Sequence, residues 1–208
     1  MLPLNIADQA GAAGTAVAWY DAHAEQLADG YEDLDAVQAH PQLFELVRDA
    51  PPLRVLDVGA GTGRDAAALS CLGHEVTAVD PSRKMLRLAR ALHADRDIAW
   101  KRDALPELAS LDGAFDLILL SGVWMHVLPA ARCAAFARLA ELTASSGQIY
   151  ITLRNGPEDP ERAMWPTGVA EIRALADALG MATTDLGRRP DLLGRDDVHW
   201  QTLLVRKP

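Results

Sequence analysis

The stretch "VLDVGAGTGRDAAAL", residues 55–69, runs from an apolar segment through Asp57 into glycines 59, 61 and 63 and then an Ala-rich helical pattern. Such a turn lets backbone approach a ligand, and the helix start behind it offers free N–H groups to an anionic group such as a carboxylate. Two further acids sit at comparable places, Asp80 closing "VTAVD" and Asp103 closing "IAWKRD". A carboxylate ending the strand beside the glycine turn can accept both hydroxyls of a ribose. One strand further out, Asp103 can accept from an adenine amino group. Together the three marks describe a site for an adenosine carrying a short charged tail. A dinucleotide fold asks for G-x-G-x-x-G, and here the third glycine comes one residue early.

The elements that must position these residues alternate. Short apolar or β-branched runs at 54–59, 75–80, 98–103, 115–121, 148–153 and 199–206 read as strands. Helical patterns lie between them at about 64–73, 82–93, 130–144 and 167–180. Gly73, Gly147 and Gly180 follow three of the helices, where a left-handed cap is wanted. This alternation predicts right-handed βαβ units. The unbroken run "LILL" predicts a central strand covered on both faces. Residues 181–198 are expected to hold an irregular strand completing an antiparallel hairpin with 199–206. Before the first strand, 14–35 and 36–50 read as two amphipathic helices, the second opening near Asp35 and ending before Pro51 and Pro52. The expected division is a helical cap or lid over 1–50 and a ligand-binding unit over 51–208, forming one structural unit.

Composition narrows the partners. Net charge is −9, and residues 1–50 carry most of the imbalance, with nine acids against the single base Arg48. No basic stripe suits a nucleic-acid backbone. Arg83, Lys84, Arg87 and Arg90 read as a solvated helix face. No apolar run is long enough to span a bilayer, and "MLPLNIADQAGAAG" lacks a basic leader before an apolar stretch, so a cytoplasmic protein is expected. Cys71 and Cys133 read as small buried thiols, with no disulfide framework or metal cluster on offer.

With these motifs the chain resembles the class I S-adenosylmethionine-dependent methyltransferases, from Arg54 to about Leu153. "VLDVGAGTGRDA" is similar to that family's first motif, "AVDPS" to its second-strand acid, "RDALPEL" to its adenine loop and "FDLILLSGVWMHV" to its fourth-strand motif. "LTASSGQIYITL" is similar to its turn into the fifth strand, with Ser145 and Ser146 in place of the usual Pro-Gly pair. The resemblance implies a Rossmann-like α/β fold, a seven-stranded, mostly parallel sheet with helices on both faces, capped by the N-terminal helices. It looks most like small stand-alone bacterial enzymes. Carried over by position, Gly59, Ala60 and Gly61 would lie along the methionine of adenosylmethionine, with Asp57 setting the turn. Asp80 would hold the ribose, Pro81 and Met85 would lie against the adenine, and Asp103 with Ala104 would read its edge. Ser121 would lie near the sulfonium, Arg64 would reach the methionine carboxylate or pair with an acid on the next helical turn, and Tyr20 or Tyr31 would close over the cofactor.

For the acceptor, His126 in "SGVWMHVLP" is the candidate base, the alternative being that it holds its loop. Trp124 is expected to wall the pocket. Arg154 would neutralise an anionic acceptor or pair with Glu158, Asp159 or Glu161, while His199 and Trp200 are expected to be structural. The turn "SGVW" lacks the N/D-P-P-Y/F of amino-methylating DNA enzymes, 121–130 lacks the paired glutamates of protein-arginine enzymes, and "SGVWMHVLPAA" lacks the acids of metal-dependent catechol enzymes. A small-molecule acceptor methylated on oxygen or nitrogen is left, with no metal and with a monomer or homodimer. The competing readings are an NAD-linked oxidoreductase and a non-catalytic cofactor-binding protein.

Overall fold

A computed structural model describes residues 6–208, with side chains from residue 15 onward, so the first five residues of the segment inspected for a leader lie outside the described residues. The chain begins with α1 (Ile6–Glu32), α2 (Ala36–Ala39) and α3 (Pro41–Val47). Next come β1 (Arg54–Val58), α4 (Arg64–Cys71), β2 (Glu75–Val79), α5 (Arg83–Leu92) and β3 (Ile98–Lys101). The remainder is β4 (Phe115–Leu120), α6 (Arg132–Leu142), β5 (Thr143–Asn155), α7 (Val169–Asp177), β6 (Ala182–Pro190) and β7 (His199–Arg206). Among the described residues no helix is long and apolar enough to cross a membrane.

The strands form one seven-stranded sheet in the order β3-β2-β1-β4-β5-β7-β6. β1 to β5 run parallel, and β7 is antiparallel to both β5 and β6, which is the hairpin expected from the sequence. Alternation along the strands assigns the two faces. Leu56, Val58, Ile118 and Leu120 join Phe136, Leu139 and Ile172 from α6 and α7. Val55, Leu117 and Leu119 join Phe44 and Val47 from α3 and Ala66 and Leu69 from α4. Helices therefore cover both faces, and the strand order reverses between β1 and β4. The crevice beyond their carboxyl ends is where an open α/β sheet binds ligands.

Four local expectations need correction. The second N-terminal helix is two short ones: Pro41 begins α3 as Pro at a first helical position, and the residue before it, His40, leaves helical geometry at φ −140°, ψ 59°. The helix also stops at Val47, ahead of the Pro51–Pro52 pair. Gly73 and Gly180 take the left-handed conformation, but Gly147 does not; Ser146 takes it, at φ +62°. Gly147 is needed for space, since a Cβ there would lie 2.9 Å from the carbonyl oxygens of Phe115 and Ala144. Cys71 and Cys133 are exposed rather than buried. Cys71 follows Leu69 by two residues, roughly 200° round the helix from that buried position.

α1 docks on α5 with its acidic face toward the basic helix. The Asp21 carboxylate accepts from the Ser82 hydroxyl and from the Lys84 amide at 3.1 Å, and Glu25 lies 3.9 Å from Arg87. Arg83, Lys84, Arg87 and Arg90 are all exposed, as their spacing predicts.

Candidate functional site

A cavity of about 380 Å³ opens in the crevice at the carboxyl ends of β1 and β4, with Tyr20 and Tyr31 of α1 on its wall. Its floor is the glycine turn, where Gly59, Gly61 and Gly63 all have positive φ. They do different work. A Cβ on Gly63 would meet Trp100 at 2.4 Å and one on Gly59 would meet Val123 at 2.5 Å, whereas nothing lies within 4 Å of one on Gly61. Gly61 is thus open toward the cavity, Gly63 seats the turn on β3, and Ala60 lines the wall beside them.

Behind the turn lies a buried cluster that the sequence did not reveal. Arg64 forks onto the adjacent Asp65, Nε to Oδ1 at 2.8 Å and Nη2 to Oδ2 at 3.0 Å, rather than onto an acid one helical turn away. His40 Nε2 lies 3.1 Å from Asp65 Oδ2 and 2.8 Å from the Ser121 hydroxyl. Burial alone would raise the Asp65 carboxyl, but His40 and Arg64 together hold it well below the usual carboxylate range. Asp57 is the opposite case. Burial, with Asp65 and Asp80 nearby, pushes its pKa well above normal, and its buried Oδ2 has no hydrogen-bond partner among the described residues.

Asp80 is 7% exposed. Its Oδ2 accepts from the Gly61 amide at 2.9 Å and its Oδ1 from the Ser82 amide at 2.8 Å. Burial raises its pKa to about 6 against the pull of those two amides. Pro81 and Met85 line the cavity beside it. Asp103 and Ala104 also face the cavity, on the loop after β3. The Asp103 carboxylate is already engaged, by the Ala104 amide at 2.8 Å and by the Ser110 amide and hydroxyl, both at 2.6 Å. Those bonds hold its pKa down although partial burial works the other way.

The opposite side of the cavity is built by His126, on a 3-10 turn after β4, and by the loop after β5. His126 Nδ1 faces the Arg162 carbonyl at 3.1 Å, so that nitrogen carries the proton and Nε2 is the acceptor. Nε2 lies 3.1 Å from the Tyr20 hydroxyl, which accepts in turn from Arg162 Nη2 at 2.9 Å. Burial, reinforced by Arg162, lowers the His126 pKa to about 4. Arg154 lines the same side and donates to the Pro157 carbonyl at 2.7 Å, pairing with none of Glu158, Asp159 or Glu161.

Residues 55–147 match the model of a methyltransferase domain. A malonyl-[acyl-carrier protein] O-methyltransferase from Erwinia pyrifoliae is 34% identical over 170 residues, covering 79% of this chain and 59% of that protein. A ubiquinone biosynthesis O-methyltransferase from Alkalilimnicola ehrlichii is 35% identical over 109 residues, covering 50% of this chain and 43% of that one. The chain thus matches only about half the length of these curated relatives. A crystal structure of the 1,6-didemethyltoxoflavin-N1-methyltransferase of Burkholderia thailandensis, with 1,6-didemethyltoxoflavin and S-adenosylhomocysteine bound, superposes with a TM-score of 0.76. That match has 25% identity and covers all of this chain and 92% of the other. Residues 55–147 are thus a methyltransferase domain, and the fold is that of the S-adenosylmethionine-dependent methyltransferases.

Within the methyltransferase frame the cavity collects every residue singled out for the cofactor, from Tyr20 to Ser121, and also His126 and Arg154. Trp124 is a correction. It is fully buried, packed edge-on against Phe136, and its indole N–H donates to Glu171 at 3.1 Å. Its 3-10 turn points it into the core beneath the sheet, away from the cavity. Trp200, expected to be structural, lines the cavity and stands 3.2 Å from where a Cβ on Gly122 would be. Arg162, Arg189 and Arg195 line it too, unmarked by any local motif. The density of Pro, Gly and charge in 153–168 was the signal that could have found Arg162.

Proposed function

We propose that the cavity binds S-adenosylmethionine and serves transfer of its methyl group to an oxygen or nitrogen of a small-molecule acceptor. The observation that carries this reading is the pair of buried acids flanking the open Gly61: Asp57 with an unpartnered oxygen, and Asp80 with both oxygens oriented by backbone amides. A buried acid lacking a donor suits a ligand ammonium, and Asp80 keeps a lone pair on each oxygen for a ribose hydroxyl. The same acids disfavour a dinucleotide, whose pyrophosphate would meet Asp57 and Asp65 at the start of α4.

When bound, the cofactor supplies an electrophilic methyl on a sulfonium. The protein's share is positioning, which contributes roughly 7–11 kcal/mol when reacting atoms are held in line. In this reading α1 is a lid whose Tyr20 and Tyr31 exclude water. Arg64, fixed by Asp65, presents its outer N–H groups to the ligand carboxylate, and Asp103 with Ala104 reads the adenine edge. The proton leaves through Tyr20, which takes it from the acceptor while handing its own to His126 Nε2. A base this weak suffices, because a heteroatom that has just been methylated and still carries its proton is strongly acidic.

The reading extends to a cytoplasmic protein acting on a small molecule, as monomer or homodimer, without nucleic acid. Its test is calorimetric titration with adenosylmethionine and adenosylhomocysteine, followed by single-turnover transfer of labelled methyl to a panel of phenols, amines and carboxylic acids. Binding plus label transfer is the expected result. No binding to correctly folded protein would refute the cofactor, and binding without transfer to any acceptor would leave a cofactor-binding protein instead of an enzyme.

A further inference from the structure

The cavity is richer in acids at one end and in arginines at the other, the first also holding Arg64, which is paired with Asp65. Asp57, Asp65 and Asp80 surround the glycine turn, while Arg154, Arg162 and Arg195 gather near His126. The acid lining that second end, Asp191, is already taken. Its Oδ1 accepts from Arg195 Nη2 at 2.6 Å and from the Trp200 indole at 2.9 Å, and its Oδ2 accepts from Arg195 Nε at 2.9 Å. That pairing neutralises Arg195 and leaves Arg154 and Arg162.

Arg154 makes its side-chain hydrogen bond to a neutral carbonyl, and its buried Nε has no hydrogen-bond partner among the described residues. Arg162 gives Nη2 to Tyr20 and lies over the Trp19 ring at 4.6 Å; its Nε is buried without a hydrogen bond, with Asp159 standing off at 4.0 Å. Burial and the neighbouring Arg195 and Arg162 charges work against the Arg154 charge, and the more weakly acting Asp197 and Asp159 only partly support it. A guanidinium keeps its charge in a protein, so the protein carries this repulsion permanently in the absence of a ligand. An unsatisfied buried donor is destabilising, the more so when it is charged. Among the described residues no carboxylate bonds the Arg154 guanidinium, and a bound anion would.

We propose that the methyl acceptor is an anionic small molecule whose carboxylate is held by Arg154 and Arg162, beside the Tyr20–His126 pair. This rests on the methyl-transfer reading above. Arginine suits the task because its planar fork matches a carboxylate with two parallel N–H donors. The acceptor half attracts an anion although the chain as a whole carries a net charge of −9. The carboxylate is the handle, and its location near His126 brings the rest of a compact acceptor to the proton-accepting end of the cavity.

The test uses the full chain saturated with adenosylhomocysteine, titrated calorimetrically with benzoate and with its neutral isostere benzamide. Benzoate is expected to bind at least about tenfold more tightly than benzamide, the discrimination of one charge-assisted clamp. Arg154→Met should weaken benzoate about tenfold and Arg154→Lys by less, while adenosylhomocysteine affinity stays within about twofold and the circular-dichroism spectrum is unchanged. Benzamide matching benzoate, no benzoate binding up to about 10 mM, or an Arg154→Met variant that binds benzoate like wild type would each overturn the anion site. Failure of folded wild type to bind adenosylhomocysteine would fault the cofactor reading, which the first titration reports separately.

Discussion

Replacing Asp80 with alanine tests the cofactor half at its most specific point. Each Asp80 oxygen already accepts one backbone amide, at 2.9 Å from Gly61 and 2.8 Å from Ser82, leaving one lone pair on each for a ribose hydroxyl. A hydrogen bond to a charged group contributes about 1.5–3 kcal/mol, so losing two removes at least about 3 kcal/mol of ligand affinity. That corresponds to a rise in the adenosylhomocysteine Kd of roughly a hundredfold or more. The carboxylate also brings a pH signature. Burial raises its pKa to about 6 in the ligand-free protein, and the hydroxyls need the ionised form. Ionising Asp80 for those hydroxyls expels a proton below that pH and none above it. Asp80 should therefore add a limb in which affinity weakens by up to about tenfold per unit below pH 6, and Asp80→Ala lacks that limb. Isothermal titration calorimetry between about pH 5 and 8, in buffers of different ionisation heat, measures both the Kd and the proton release. A variant Kd within about threefold of wild type, or a wild-type profile flat across that range, would refute the ribose assignment.

Two other substitutions separate chemistry from packing. His126→Gln should lower kcat by about 10²–10⁴-fold while leaving adenosylhomocysteine affinity within about twofold, measured by label transfer at saturating cofactor; an unchanged kcat would return His126 to a loop-holding role. At saturating cofactor, kcat/KM for the acceptor should fall only below about pH 4, where the imidazole of the acceptor-free site becomes charged, because a protonated ring cannot accept. Gly63→Ala forces φ +88° on alanine and drives its Cβ to 2.4 Å from Trp100, which should cost about 2–4 kcal/mol in urea unfolding. A midpoint equal to wild type would mean the third glycine is not a packing requirement.

The sheet was legible because its strands are apolar runs that end at chemistry. "RVLDV" and "EVTAV" each stop one residue or less from an acid, and β4 reads as a central strand because "LILL" does not alternate. What stayed hidden depends on contacts distant in sequence. His40 meets Asp65 across 25 positions and Ser121 across 81, and no spacing rule reaches that far. A His-Pro pair marks a helix break, but it does not say where the imidazole goes. The two tryptophans were assigned the wrong way round for a related reason. Trp124 follows a strand known to end at the site, yet a 3-10 turn decides whether that ring meets Glu171 or solvent. Trp200 reaches the cavity because the register of β7 sets it opposite Arg154, a pairing fixed only when the antiparallel hairpin closes. The short Ser145–Ser146 turn shows the limit of motif matching as well. The left-handed residue moved to Ser146, while Gly147 was kept because backbone crowds it.

The unpartnered atoms give these observations a common direction. Asp57 Oδ2 and Arg154 Nε are both buried without partners among the described residues, and they lie on the walls of the same cavity. Folding tolerates each at a cost of about 1–3 kcal/mol, a sizeable fraction of a domain's marginal stability. A chain selected for stability alone would have replaced Asp57 with a neutral residue and Arg154 with an apolar one, since swaps of buried ionic groups for well-packed apolar groups are often neutral or better. Retaining an acid at one end and a base at the other favours two ligands of opposite local charge, an ammonium against Asp57 and a carboxylate against Arg154. The neutral imidazole of His126 sits at the second end, where Arg162 and Arg154 oppose its protonation until an anion arrives to offset them. On this argument His126 becomes a better proton acceptor only when the acceptor is in place, which couples the proton transfer to occupancy of both halves of the site.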